Sequence, residues 1–491
     1  MKTWQITLYI WICIACLAVI GIIFPPNGVK IGKINLTFIH PSEVIKVEKH
    51  NKIDVDEIYQ QNIQYLQNLH LQSMQDSITA LKNFALTHAS RVYFPNNDYH
   101  YFDKFFNKLD SSANKEPSIH IFHYGDSQIE MDRITGVIRE QMQKQFGGYG
   151  PGIIPAIQPI PSFTVNQNYH GIANKYALYG DTNVRRAPHN KYGVLASFVH
   201  SPDFLQINFS TNNTAFEHAK KFNRVKLLIG NNSDTVLATL STNGLDSTKI
   251  IYNINSGSNT IQWDLPSYTN SGTLSIKGSI DIYGISLESK TGVTIDNVPM
   301  RGAAGTFFSS INSEMMKYFY KNLNTQLIIL QFGGNAMYSG ITKKQIEYYA
   351  QNIGKQIKYF QNILPDVPIL FIGPSDMSEN VQGKMQTRHF LVEMINALRD
   401  TVINNGAAFW NTFEAMGGEN SMVAWANMNP PLASPDYIHF SKRGADRIGE
   451  MLYESINNYY LLYKLEKNIS NKDNILPQYL QHFKVVLYEM Q

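Results

Sequence analysis

Apolar and polar positions alternate along this chain in three different textures. The N-terminal stretch MKTWQITLYIWICIACLAVIGIIFPPNG holds an uncharged apolar run from Ile6 to Phe24, 19 residues, ended by Pro25-Pro26. That is enough for one bilayer crossing. Lys2, the one flanking charge on that side, favours an N-terminus in the cytoplasm. The run reads as an uncleaved signal anchor, against a cleaved signal peptide or a buried helix. It is longer than an ordinary signal-peptide core, and no small-residue cleavage site follows it. Residues 29–115 read as a linker followed by one or two amphipathic helices over 54–87, with Ile58, Ile63, Leu66, Leu69, Ile78 and Leu81 at helical spacing.

The second texture is α/β. Ile119–Tyr124 reads as a buried strand and Ile129–Phe146 as a helix, stopped by the glycines of 147–152. It resumes after Asp296. Phe307–Leu323, Thr342–Leu364, Lys384–Asn405 and Arg443–Tyr460 read as helices. Between them lie the buried strands Gln326–Phe332 (QLIILQF), Pro368–Gly373 (PILFIG) and Ala407–Asn411. Near-continuous apolar strands alternating with helices predict a parallel sheet covered on both faces. The third texture interrupts the second. Residues 171–295 are dense in Asn, Ser, Thr and Gly, with short alternating runs such as Leu205–Phe209, Arg224–Ile229 and Ile280–Leu287. They predict an inserted β-sandwich. The expected organisation is an anchor over 1–28, linker and helices over 29–115, and a leading α/β segment over 116–170. The insert over 171–295, a closing α/β segment over 296–465 and a tail over 466–491 follow.

Composition changes the picture little. A net charge of +3 with 16% charged residues gives no field suited to nucleic acid. Both cysteines, Cys13 and Cys16, lie in the apolar run, so the remainder has no disulfide, thiol nucleophile or thiolate metal ligand. Ile14-Ala15-Cys16 is a faint lipidation signal, but the apolar run continues past it.

The candidate chemistry lies at strand ends. Gly125-Asp126-Ser127 follows the first buried strand, Gly333-Gly334-Asn335 follows QLIILQF, and Asp436 precedes His439 by three residues. A serine hydroxyl needs a base, and an imidazole needs a carboxylate to hold its tautomer. Ser127 is the candidate nucleophile, His439 the base and Asp436 its orienter. A tetrahedral oxyanion needs neutral donors, and Asn335 can supply one. Each tripeptide alone is an ordinary turn; their order and placement carry the reading.

Together with Arg301-Gly302-Ala303-Ala304-Gly305-Thr306, these blocks resemble the SGNH (GDSL-type) hydrolases over about 116–165 and 296–460. The resemblance implies a flavodoxin-like three-layer α/β fold. It implies the catalytic set Ser127, Asp436 and His439, and an oxyanion hole from the Ser127 N–H, the Gly305 N–H and the Asn335 amide, with Gly302 the other glycine candidate. It implies no cofactor and no metal; the scattered His170, His189 and His200 have no metal-ligand spacing. The chain departs from the pattern at Gln128, where the family has Leu, a change expected to matter little. It departs again at Met300-Arg301, where an Asn is usual. A β-rich insert after the first block also resembles periplasmic peptidoglycan O-acetylesterases. The expected function is therefore an envelope-tethered esterase acting on an O-acetylated glycan, on the periplasmic side of the inner membrane. A polysaccharide O-acetyltransferase using the same triad is the alternative. A non-catalytic glycan-binding or assembly factor is a further one. Secondary candidates are His123 (a buried histidine or a catalytic one), Glu130 and Asp132 (pocket wall or helix first turn), and Tyr149 with its glycines (substrate loop or helix stop). Trp410 and Trp425 stand for sugar stacking or for packing.

Overall fold

A computed structural model of the 491-residue chain describes residues 2–25, 27–32, 34–38, 55–180, 183–232, 234–252 and 257–470. The chain divides into two compact units at Ser73/Met74. In the first, the apolar run forms one helix, Thr3–Ile23, with mean hydropathy 2.7 over its most apolar window. Its side chains are exposed nearly throughout, which does not suit a buried soluble helix. A short hairpin, Val29–Ile31 with Ile34–Leu36, follows. Most of the expected linker, over 39–54, lies outside the described residues. One helix, Val55–Thr87, crosses the division.

In the second unit the apolar runs become the inner strands of a six-stranded sheet. Its order is Val293–Pro299, Ile119–Gly125, Thr325–Gln331, Ile369–Ile372, Ala408–Trp410, Val92–Tyr93. The first five are mutually parallel and Val92–Tyr93 is antiparallel at the edge. Numbered along the chain, the parallel strands run 2-1-3-4-5, the flavodoxin-like order. Successive side chains point to opposite faces, so each strand feeds two cores. Phe122, Tyr124, Ile328 and Leu330 pack on one side with helices Ser313–Asn322, Lys343–Ile363 and Leu391–Asn404. Ile119, Ile121, Leu327 and Ile329 pack on the other with Asp103–Ser112, Arg133–Phe146 and Lys442–Ser470. Burial on both faces is why these strands read as continuous apolar runs.

The middle of the chain forms two antiparallel sheets. One contains Phe222–Gly230, Ser258–Thr269 and Ile280–Glu288; the other contains Phe204–Thr211, Val236–Thr242 and Ser271–Lys277. Leu227 and Ile285 of the first share a core with Ile207, Leu240 and Leu274 of the second.

The structure departs from expectation in several places, and the helix expected from Ile129 starts at Arg133. Strand Val293–Pro299 belongs to the central sheet although its first residues read as part of the β-rich stretch. The expected helix 384–405 begins at Leu391; its first residues, Lys384–Thr387, form the second strand of a hairpin with Ser378–Val381. The helix expected over 307–323 is confined to Ser313–Asn322, capped by the Asn312 side chain. The last helix runs on to Ser470, through the start of the expected tail, whose remainder (471–491) lies outside the described residues.

Candidate active site

At the carboxyl end of strand Ile119–Gly125 the chain cannot continue straight into a helix. It makes a 3-10 turn, Ser127–Asp132, in which Met131 and Asp132 take positive φ (60° and 66°) before helix Arg133–Phe146 starts. Residues with side chains rarely adopt that conformation, and it marks a turn held by its surroundings. Asp126 Oδ1 accepts from the Gln128 N–H at 2.9 Å, which sets Ser127 at the apex.

The second component is another tight turn. Tyr437 has φ 55°, and the reversal brings residues 436 and 439 face to face. Asp436 Oδ2 lies 2.7 Å from His439 Nδ1, while Asp436 Oδ1 accepts from the N–H groups of Ile438 and His439 at 2.9 and 3.0 Å. Burial alone would push the Asp436 carboxyl up. The bonds from His439 (backbone and ring) and the Ile438 N–H outweigh it and hold the group below its ordinary value. An ionised Asp436 fixes the proton on Nδ1, so His439 Nε2 presents a lone pair. Ser127 Oγ lies 2.9 Å from that Nε2. The structure thus brings Ser127, His439 and Asp436 into one hydrogen-bonded chain across 312 residues of sequence.

Two residues that drew little attention in the sequence fasten these turns together. The Gln128 side chain donates to the Ile438 carbonyl at 2.8 Å and accepts from the Phe440 N–H at 3.4 Å, bracketing His439. Arg133 donates to the carbonyls of Ser127, Glu130 and Phe440. Gln128 is therefore no neutral replacement for a leucine. Its amide spans the nucleophile turn and the histidine turn, a job an aliphatic side chain cannot do.

Asn335 occupies the third strand end. Gly333 has φ 131°, and a Cβ there would press on Pro374 at 3.0 Å, so glycine is required for the turn. The Asn335 amide donates to Asp126 Oδ2 at 3.2 Å and to the Ala303 carbonyl at 3.1 Å. It ties the loops of Ser127, Ala303 and its own strand together. Burial raises Asp126 to about 6, opposed by the Gln128 N–H and nearby His439.

The glycines fare differently. Gly305 is buried with φ 72°, and a Cβ would lie 2.5 Å from the Phe332 ring. Gly302 has φ 74° and open space around it. Neither lines the cavity of about 250 Å³ that Ser127, Asn335 and His439 share with Gln331, Met337, Met377 and Arg388. A larger cavity, about 580 Å³, opens beyond Glu130 and Arg301 toward Tyr176 and Tyr179, and contains no member of the triad.

The secondary candidates fall into structural places. His123 is fully buried between Thr135 and Gln331, at 3.0 Å from each, and burial lowers its pKa to about 4. Glu130 is clamped by Arg301 at 2.6 Å through both oxygens. Asp132 is paired with the buried Arg139. Trp410 is a core residue whose indole N–H meets Ser90 and Ser455; Trp425 packs on Phe440. Tyr149 stacks on His218.

No family model matches this sequence, and no curated protein does. Among solved structures, a peptidoglycan O-acetylesterase aligns with a TM-score of 0.57 at 23% identity, covering 73% of this chain and 95% of that one. A family two carbohydrate esterase from Cellvibrio japonicus aligns over 60% of this chain and 99% of that one, with 9% identity and a TM-score of 0.24. A carbohydrate esterase family 2 enzyme from Myceliophthora fergusii aligns at 12% identity and TM-score 0.26, over 60% of this chain and 99% of that one. The first of these likenesses extends over most of the chain and shows a shared fold.

Proposed function

We propose that this chain is a serine esterase that removes O-acetyl groups from a cell-wall or surface glycan. The observation that carries the reading is the unbroken Ser127–His439–Asp436 chain, with separations of 2.9 and 2.7 Å. Ser127 Oγ attacks the ester carbonyl as His439 Nε2 takes its proton, and Asp436 stabilises the resulting imidazolium. The oxyanion draws on the Ser127 N–H and on the Asn335 amide, which loosens one of its resting bonds. Collapse breaks the C–O bond to the sugar, and His439 returns the proton to that oxygen. Water, deprotonated by His439, then attacks acetyl-Ser127 and releases acetate. His439 and Asp436 keep 35% and 47% of their side-chain surface in solvent, which supports water rather than a second sugar as acceptor.

The likeness to a peptidoglycan O-acetylesterase supports an acetylated envelope glycan as substrate, and the inserted sheets as a substrate-shaping module. The helix Thr3–Ile23 supports tethering as a signal anchor, with the second unit outside the inner membrane. Purified chain incubated with O-acetylated peptidoglycan should release acetate, and Ser127→Ala should not. Full p-nitrophenyl acetate hydrolysis by folded Ser127→Ala removes Ser127 as nucleophile. Failure of the folded native chain to release acetate from any acetyl ester and to be labelled by a fluorophosphonate removes the esterase reading itself.

A further inference from the structure

The cavity that holds Ser127 and His439 has a cation in its wall that the acyl-transfer chemistry does not use. Arg388 follows the hairpin Ser378–Thr387 and is half-buried. Its backbone is held on both sides. The Arg388 N–H donates to the Met377 carbonyl at 2.8 Å, and the flanking Thr387 hydroxyl and His389 N–H are tied to Asp376 and Glu379. Its guanidinium reaches the Met337 carbonyl, another wall residue, through Nη1 alone. Among the described residues no acceptor meets Nε or Nη2, and no carboxylate forms an ion pair with it.

An arginine held at one nitrogen, with its Nε–Nη2 edge open, presents two parallel N–H donors in the geometry that matches a carboxylate. A half-desolvated guanidinium without a counterion is costly unless a ligand completes it. The carboxylate in the wall, Asp126, cannot serve. Asp126 is 5% exposed and its oxygens are occupied by the Gln128 N–H and the Asn335 amide. The cavity, about 250 Å³, has room for an acetyl group and little more than the sugar that carries it. We infer that Arg388 recognises a carboxylate on the acetylated sugar or its immediate neighbour, so that the substrate is an acidic glycan and not a neutral one. This rests on the esterase reading above and names the class of its substrate.

The chemistry has two sources, a uronic acid or the lactyl ether of an amino sugar. The test uses matched pairs: the tri-O-acetate of methyl glucuronoside with the corresponding glucuronamide, and O-acetylated N-acetylmuramic acid with its carboxamide. Each pair differs in one charge. The expected result is a kcat/KM at least tenfold higher for the acid in one pair, which identifies the source. This ratio should shrink with added salt. Arg388→Gln should bring it near one, and Arg388→Lys should leave an intermediate value. Equal rates on acid and amide in both pairs overturn the inference, as does an acid preference retained in Arg388→Gln. If Arg388→Gln does not fold, the acid/amide ratio of the native chain and its salt dependence still decide. Acetate release without any acid preference overturns this inference alone, whereas no acetate release from any substrate overturns the esterase reading with it.

Discussion

Two histidines in this molecule sit against carboxylates at the same distance and do opposite things. His439 Nδ1 lies 2.7 Å from Asp436, and His120 Nδ1 lies 2.7 Å from Asp296. They differ at the other ring nitrogen. His439 Nε2 faces the Ser127 hydroxyl at 2.9 Å; His120 Nε2 faces Glu288 at 2.7 Å. Carboxylates on both sides demand a proton on both nitrogens, so His120 is held as a cation. Burial works against its charge, but Asp296 and Glu288 raise it to about 9. A hydroxyl partner demands nothing, and His439 stays available as a base. Solvent differs too: the His120 cluster is 0% exposed, whereas the His439 pair is open to water. The lesson is that a His–carboxylate contact becomes a catalytic element only when its second nitrogen is left to a group that can surrender a proton. His120 joins the central sheet to the inserted sheets, through Asp296 on one side and Glu288 with Lys226 on the other. It is a structural pin with a triad's outward look.

The sharpest way to break the comparison is to exchange the effects. His439→Ala should reduce kcat/KM on p-nitrophenyl acetate by about 10⁴-fold or more and leave the melting temperature within a degree or two of native. His120→Gln should do the reverse. It leaves buried Asp296 without its cationic partner and Glu288 with Lys226 alone, at about 3–5 kcal/mol of stability, read as a shift in the denaturant midpoint. A His120→Gln enzyme of native stability would sink the idea of a pin. Asn335→Ala should fall between, losing about 10²–10³-fold in kcat. It should lose some stability as well, because the same amide ties Ala303 to Asp126. An unchanged kcat would remove Asn335 from the oxyanion hole.

The same two sites show what the chain alone discloses. Ser127, Asp436, His439 and Asn335 were legible because each follows a recognisable strand or turn in a fixed order. The strands QLIILQF and PILFIG were legible because burial on both faces leaves no polar position in their centres. Strand Val293–Pro299 was not, since Asp296 interrupts its apolar run; that aspartate is there to meet His120, 176 residues away. The second strand of the hairpin before Arg388, Lys384–Thr387, reads as helix because Lys384 and its neighbours are good helix formers, and only Gly383, with φ 83°, marks the reversal. Gln128 and Arg133 were missed for a different reason. Their partners Ile438 and Phe440 lie more than 300 residues downstream, and no local pattern announces such a clamp.

The pH dependence of stability sharpens the comparison without mutation. His120 titrates near 6.5 in an unfolded chain and at about 9 when folded. The folded state binds the proton more tightly, so the associated stability is complete below about 6.5 and is lost as pH rises through about 9. Glu288 acts at the other end. Burial raises it, but Lys226 and His120 outweigh burial and hold it well below the carboxylate range. Its contribution is present above the ordinary glutamate value and fades only in strong acid. Melting temperature should therefore decline between pH 6.5 and 9, and this slope should flatten in His120→Gln. A slope unchanged by that substitution assigns the alkaline loss to other groups.

The smallest effect separates the triad's support from its chemistry. Ser441, two residues past His439, caps the last helix: its Oγ accepts from the Gly444 N–H at 3.2 Å and donates to the Pro431 carbonyl at 2.9 Å. Ser441→Ala should cost about 1 kcal/mol, a fall of roughly 1 °C in melting temperature for a unit this large. Because His439 is bracketed independently by Gln128, kcat/KM should change by less than about threefold, a shift worth under 1 kcal/mol. Gln128→Leu should show the converse, a larger loss of kcat than of stability, since it releases the two carbonyl and amide contacts on either side of the base. If Ser441→Ala proved the more damaging to kcat, the histidine turn would be positioned by its helix and not by the nucleophile turn, and the two loops could not be treated as one unit.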